Sequence, residues 1–161
     1  MIEIVVEDEA WTAALPEAEN WTLKAAEAVL RTRAAFALAP GIGEPLDVTI
    51  LLTDDESSAD LNGRFLGKSG PTNVLSFPAP ETARPHLGDI ALAFGVCARE
   101  AEAQGKTLGH HLAHLTVHGV LHLLGWDHLT DAEADAMEGL EREILASFHV
   151  PDPYLGDRGH G

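Results

Sequence analysis

Leu108-Gly-His-His-Leu-Ala-His-Leu-Thr-Val-His118-Gly-Val-Leu-His122-Leu-Leu-Gly125-Trp-Asp-His128 organises the whole chain. Between Leu108 and Leu124, Leu112, Leu115, Val117, Val120, Leu121, Leu123 and Leu124 cover most of the circumference of a helix. A helix that is apolar nearly all round is a buried one, so this segment belongs at the centre of the domain, with Thr107 as its N-cap. His118 and His122, four residues apart, lie one above the other on one helical face. Gly125 can take the left-handed conformation that ends a helix and turns the chain, bringing His128 back from a different direction. Three imidazole nitrogens with a fourth position open to water make the arrangement of a catalytic zinc, one ion per chain. His114, one turn before His118, offers a competing pair. Only His118 and His122 place Gly125 and His128 where a third ligand can return, which leaves His114 a supporting role behind the ligands.

The same spacing occurs in the long zinc-protease motif H-E-x-x-H-x-x-G-x-x-H. The glutamate that serves there as general base is replaced here by Gly119. The ligand pattern is that of a metal-dependent hydrolase, and the usual base of peptide cleavage is missing.

Outward from this helix, period-two alternation marks strands at Ile2-Ile4-Val6, Val48-Ile50-Leu52 and Ile90-Leu92-Phe94. Val74–Phe77, bounded by prolines, reads as a short strand at a sheet edge or beside a cleft. An Ala-rich helix is expected from Pro16 to about Leu38, stopped by Pro40-Gly41. Thr53 with Glu56 suggests a capping box opening a helix that ends near Asn62-Gly63. Another helix is expected from about Val96 to Gly105. Thr130 and Glu133 open a last one, with Met137, Leu140, Ile144 and Phe148 inward and the acids outward. The expected fold is α+β: a small mixed β-sheet packed with several helices, its central helix carrying a His-x3-His zinc site in the zincin manner. Residues 1–150 form one metal-dependent hydrolase domain, and 151–161 a disordered tail that makes His160 a poor ligand.

The chain has 161 residues, 45% hydrophobic, enough to bury a core without disulfides. Its one cysteine, Cys97, fits a reducing, cytoplasmic setting and reads as a small buried hydrophobe. No run has the length of a membrane span. A net charge of −16 excludes a high-affinity nucleic-acid-coating protein. Six acids crowd between Asp131 and Glu143, read as a solvated face.

Two long motifs, His118–His128 and Pro71-Thr-Asn-Val-Leu-Ser-Phe-Pro78, closely resemble those of the YbeY family of bacterial endoribonucleases. Leu87-Gly-Asp-Ile90 and Met137-Glu-Gly-Leu-Glu141 agree in order, and the resemblance covers roughly residues 46 to 148. It implies a single-strand-specific, zinc-dependent endoribonuclease of ribosomal RNA 3′-end maturation and ribosome quality control. Contacts with the small ribosomal subunit and an assembly GTPase are also implied. The resemblance implies an arginine before the second motif, where this chain has Leu66. Arg64, two residues earlier, and Lys68 are the candidate cations for the phosphate. Asp127 is a candidate for orienting an imidazole or accepting a proton. Thr72, Asn73 and Ser76 are candidate hydrogen-bonding groups for the RNA sugar–phosphate chain, and Trp126 is either a stacking surface or core. Two other functions compete: a ribosome-assembly or RNA-binding factor with a mainly structural zinc, and a metalloprotease, which Gly119 opposes.

Overall fold

The structure, a computed structural model, describes residues 1–32 and 46–154. The strands are β1 (Ile2–Val6), β2 (Asp47–Thr53), β3 (Val74–Pro78) and β4 (His86–Ala93), in the order β1-β2-β4-β3. β1, β2 and β4 run parallel, and β3 pairs antiparallel with β4 at the edge. Ile4, Ile50 and Ile90 share one register line, and Ser76 continues it into β3. The described helices are α1 (Ala10–Ala14), α2 (Ala18–Leu30), α3 (Asp55–Leu66), α4 (Phe94–Ala103), α5 (Leu108–Leu123) and α6 (Asp131–Ala146). The result is a mixed α/β domain around a four-stranded mixed sheet.

α5 lies at its centre, as its apolar circumference predicts. Leu112, Val117, Val120 and Leu121 are buried with Ile50, Leu52, Ile90 and Leu92 of the sheet. Thr107 caps the helix by accepting the His110 amide, and Thr130 caps α6 by accepting that of Glu133. Gly119 lets α5 settle onto the sheet. A Cβ there would meet the Ile90 side chain at 3.1 Å and Ser76 Oγ at 3.3 Å, tight contacts in an interior with few voids.

The structure departs from the sequence expectations in several places, among them residues 151–154, which were placed in the tail but are held by Lys106 Nζ on the Pro153 carbonyl and by the Tyr154 hydroxyl on Glu141. Thr53 does not cap α3: it ends β2, and Asp54 is the cap, accepting the Ser57 amide at 2.7 Å. α3 also runs past Asn62-Gly63 to Leu66, ending at left-handed Gly67. Asn62 does not break the helix because its buried carboxamide donates to the Gly70 carbonyl instead of to its own backbone. Phe94 opens α4 and does not extend β4. The start signal comes from Asp55, whose Oδ1 accepts the Val96 amide, and from Gly95, where a Cβ would lie 2.4 Å from the same carboxylate. Finally, a short helix, α1, precedes the Ala-rich segment, which carries α2 from Ala18; the segment's expected end at Leu38 with the Pro40-Gly41 stop lies outside the described residues. No helix among the described residues is long and apolar enough to cross a membrane.

Candidate metal centre and its cleft

α5 ends in a Schellman motif that sets the third histidine. The Gly125 amide donates to the His122 carbonyl and the Trp126 amide to that of Leu121, both at 3.0 Å, with Gly125 at φ 100°. The chain reverses, and His128 returns to the two imidazoles of α5. One ring nitrogen each of His118, His122 and His128 lie within 4.8 Å of one another, a group that can hold a metal ion. His118 Nε2 and His122 Nε2 are 3.0 Å apart.

The donor set fits a metal. His118 Nδ1 lies 2.9 Å from Glu141 Oε2. A carboxylate only accepts, so Nδ1 carries the proton and the Nε2 lone pair faces the cluster. Burial first, then neighbouring His118 and His128, push the His122 imidazole below its ordinary range, favouring the neutral form that metals bind. His128 is the open member, more than half exposed, its amide donating to Asp127 Oδ1 at 2.7 Å.

Glu141 is the residue beside the cluster whose place the sequence pattern misleads about. It was expected on the solvated acid face, yet it is 0% exposed. Its Oε1 accepts from His114 Nε2 at 2.7 Å and from the Tyr154 hydroxyl, while Oε2 takes His118. Burial raises the Glu141 carboxyl, but hydrogen bonds from His114, His118 and Tyr154 outweigh it and hold the group down at about 2. The signal was present: Glu141 stands four residues after Met137 and three before Ile144, on the inward stripe of α6. Tyr154 had no such signal, because it lies beyond the last periodic helix. His114, one turn before His118, lies outside the three-imidazole group, with its Nε2 on Glu141.

A cleft of about 570 Å³ opens over the cluster, lined by His118, His122, Asp127 and His128 on one side and by Leu66, Lys68 and the segment Thr72–Ser76 on the other. Lys68 is exposed and makes no ion pair among the described residues. Arg64 is not among the lining residues. It pairs with Asp60 at 3.3 Å on the outer face of α3 and lies over the Phe65 ring. Leu66, 46% exposed, occupies the cleft-facing position instead. Asn73 is already engaged: its Nδ2 donates to Glu100 Oε1 at 3.0 Å and its Oδ1 accepts the Val74 amide at 2.6 Å. Ser76 Oγ donates to the Gly119 carbonyl at 3.3 Å. The Thr72 backbone is tied to the Ser58 hydroxyl. Trp126 packs partly buried against the core while edging the cleft. Cys97 is fully buried, and burial, then Glu100 and Asp55, push its thiol far up, leaving no nucleophile there.

A mixed α/β domain with three imidazoles converging under a cleft defines the class: a protein with a candidate metal centre open to a ligand. Comparison with known proteins adds the family. The family model described as Endoribonuclease YbeY matches residues 6–149, and the chain belongs to that family. It is 46% identical to the Endoribonuclease YbeY of Rhodopseudomonas palustris strain BisB18, over 94% of this chain and 90% of that one. It is 52% identical to that of Chelativorans sp. strain BNC1, over 80% and 85%. Among solved structures, the solution structure of TM1509 from Thermotoga maritima superposes with a TM-score of 0.56 at 25% identity, covering 92% of this chain and 91% of that one.

Proposed function

We propose that this chain is a zinc-dependent endoribonuclease that cuts single-stranded RNA in ribosomal RNA 3′-end maturation and ribosome quality control. The observation that carries the reading is the three-imidazole cluster beneath a cleft whose opposite wall presents Lys68 and the β3 edge. The endoribonuclease names of its relatives support the same reaction class.

His118, His122 and His128 would hold the zinc ion, which supplies Lewis-acid chemistry for phosphodiester cleavage. Lys68 places a positive charge where the scissile phosphate enters, favouring the developing anion. Asp127, beside the cluster, accepts a proton released at the cleft. Asn73 and Ser76 act by shaping the wall: their polar groups are largely committed, to Glu100, Val74 and Gly119. A single strand can lie along β3 and turn one phosphate inward. A phosphate held in a duplex cannot face both the imidazoles and Lys68.

Peptide cleavage is disfavoured by packing as well as by composition. At the base position of the protease motif, any side chain would put its Cβ 3.1 Å from Ile90 and 3.3 Å from Ser76 Oγ, so a glutamate there requires those side chains to shift. With a charge of −16, the protein does not depend on bulk RNA attraction. Guidance by the small ribosomal subunit and an assembly GTPase in the cytoplasm completes the proposal. Leu66 at the cleft favours one second reading, an assembly factor in which the zinc is mainly structural.

The test is to incubate zinc-loaded protein with single-stranded RNA, the same RNA as a duplex, and an unfolded protein, with His122→Ala as control. Cleavage of the single strand alone, lost in the variant, is expected. Intact RNA with metal fully bound transfers the assignment to the assembly-factor reading.

A further inference from the structure

We propose that Glu141 and Tyr154 fix His118 as a metal ligand, and that the docked segment Val150–Tyr154 is thereby coupled to metal binding. This rests on reading His118, His122 and His128 as the metal centre.

A neutral imidazole has two tautomers, and only one leaves the His118 Nε2 lone pair facing His122. Glu141 Oε2 selects it by accepting from Nδ1 at 2.9 Å. A fully buried carboxylate holds a defined orientation only when its remaining lone pairs are also taken. Here they are taken by two groups outside the cluster, His114 Nε2 and the Tyr154 hydroxyl, both on Oε1. Glu141 also places a negative charge beside a cation that three neutral imidazoles would leave uncompensated.

Tyr154 reaches this carboxylate through a folded-back segment. The chain turns at His149, with φ 67°, and the Val150 amide donates to the Leu145 carbonyl. Val150 is buried, Lys106 Nζ donates to the Pro153 carbonyl at 2.9 Å, and Asp152 Oδ1 accepts the Tyr154 amide at 2.8 Å. The tyrosine ring then meets His114 edge-on, centroids 5.3 Å apart. Neither Glu141 nor Tyr154 lines the cleft, so both are positioning residues. The bracing is one-sided, since His128 Nδ1 lies 3.8 Å from Asp127 and half open to solvent.

The experiment is a Zn2+ titration against a competing chromophoric chelator for the unmutated chain, Tyr154→Phe, Glu141→Gln and the double variant. Amide exchange of Val150, Asp152 and Tyr154, the residues of the segment that carry an amide proton, is followed with and without Zn2+. Glu141→Gln is expected to weaken zinc binding about ten- to a hundredfold and Tyr154→Phe about three- to tenfold. The double variant should bind no more weakly than Glu141→Gln alone, because Tyr154 acts only through Glu141. Zinc should slow exchange at Val150, Asp152 and Tyr154 in the unmutated chain, by the reciprocity of coupled equilibria. Simple packing roles for the two residues would give additive losses, and additivity overturns the proposal. So does a Tyr154→Phe protein that binds zinc like the unmutated chain. Tyr154→Phe removes only a hydroxyl and keeps the ring, so it remains decisive should Glu141→Gln fail to fold. A chain that binds no Zn2+ at all sinks the metal reading itself, and this inference with it.

Discussion

The two walls of the cleft are built differently. On the α5–α6 side, His118 is braced by a buried carboxylate that His114 and Tyr154 hold in turn. Across the cleft, at the end of α3, Leu66 and Lys68 stand in solvent and Arg64 is turned away to Asp60. The first wall has its geometry set by packing and hydrogen bonds before any ligand arrives. The second offers one mobile-headed ammonium where a rigid, bidentate guanidinium would hold a phosphate better. On the proposed function, holding the metal and holding the phosphate are therefore separable tasks in this molecule.

The sharpest way to break this contrast is at Gly119. Gly119→Glu restores the protease motif but puts a Cβ 3.1 Å from Ile90 and 3.3 Å from Ser76 Oγ. Overpacking of this kind costs about 1–3 kcal/mol, a sizeable share of the stability of a typical domain. Thermal or urea unfolding should show that loss, and a folded variant with unchanged stability would refute the packing argument. Next in size is ligand removal. His118→Ala or His122→Ala should lower zinc affinity more than about a hundredfold, beyond the 10–100-fold that outer partners cost. Wild-type zinc content in either variant, measured by elemental analysis, removes the ligand assignment.

The second wall is probed by exchanging charges. Leu66→Arg should raise the rate of RNA cleavage about tenfold, the value of about 1.4 kcal/mol expected of one charge-assisted hydrogen bond. Arg64→Ala should change it by less than about twofold, because the guanidinium points away from the cleft. A strong loss in Arg64→Ala would show that α3 rearranges when RNA binds. The smallest effect expected is none. Cys97, buried and with its thiol pushed far up, should resist iodoacetamide in the folded protein and react only after denaturation. Rapid labelling of the native chain would show that α4, whose Cys97 Sγ faces the Asn73 carbonyl, opens.

Much of the site was legible because its information is local. The i, i+4 spacing of His118 and His122 and the left-handed Gly125 act within a few residues, and the Schellman turn forms as that spacing implies. Thr107 and Thr130 cap their helices for the same reason. Several misread positions depend on partners outside their own helix or strand. Asp55 starts α4 from 41 residues away, so alternation alone extended β4 through Phe94. Asn62 keeps α3 helical because its carboxamide finds Gly70. Glu141 was grouped with its acidic neighbours, although its inward register on α6 set it apart.

By itself, then, the sequence determined the buried central helix, the turn that returns His128 and the residue types able to bind a metal. These follow from helical periodicity and from backbone freedom at one glycine. Only the tertiary structure decided that Gly119 is the point of contact between α5 and the sheet, that Arg64 faces outward, and that a glutamate and a tyrosine from beyond the motif stand behind His118. A buried carboxylate is tolerated only where several chain segments bring donors to it at once, and no local pattern encodes that convergence.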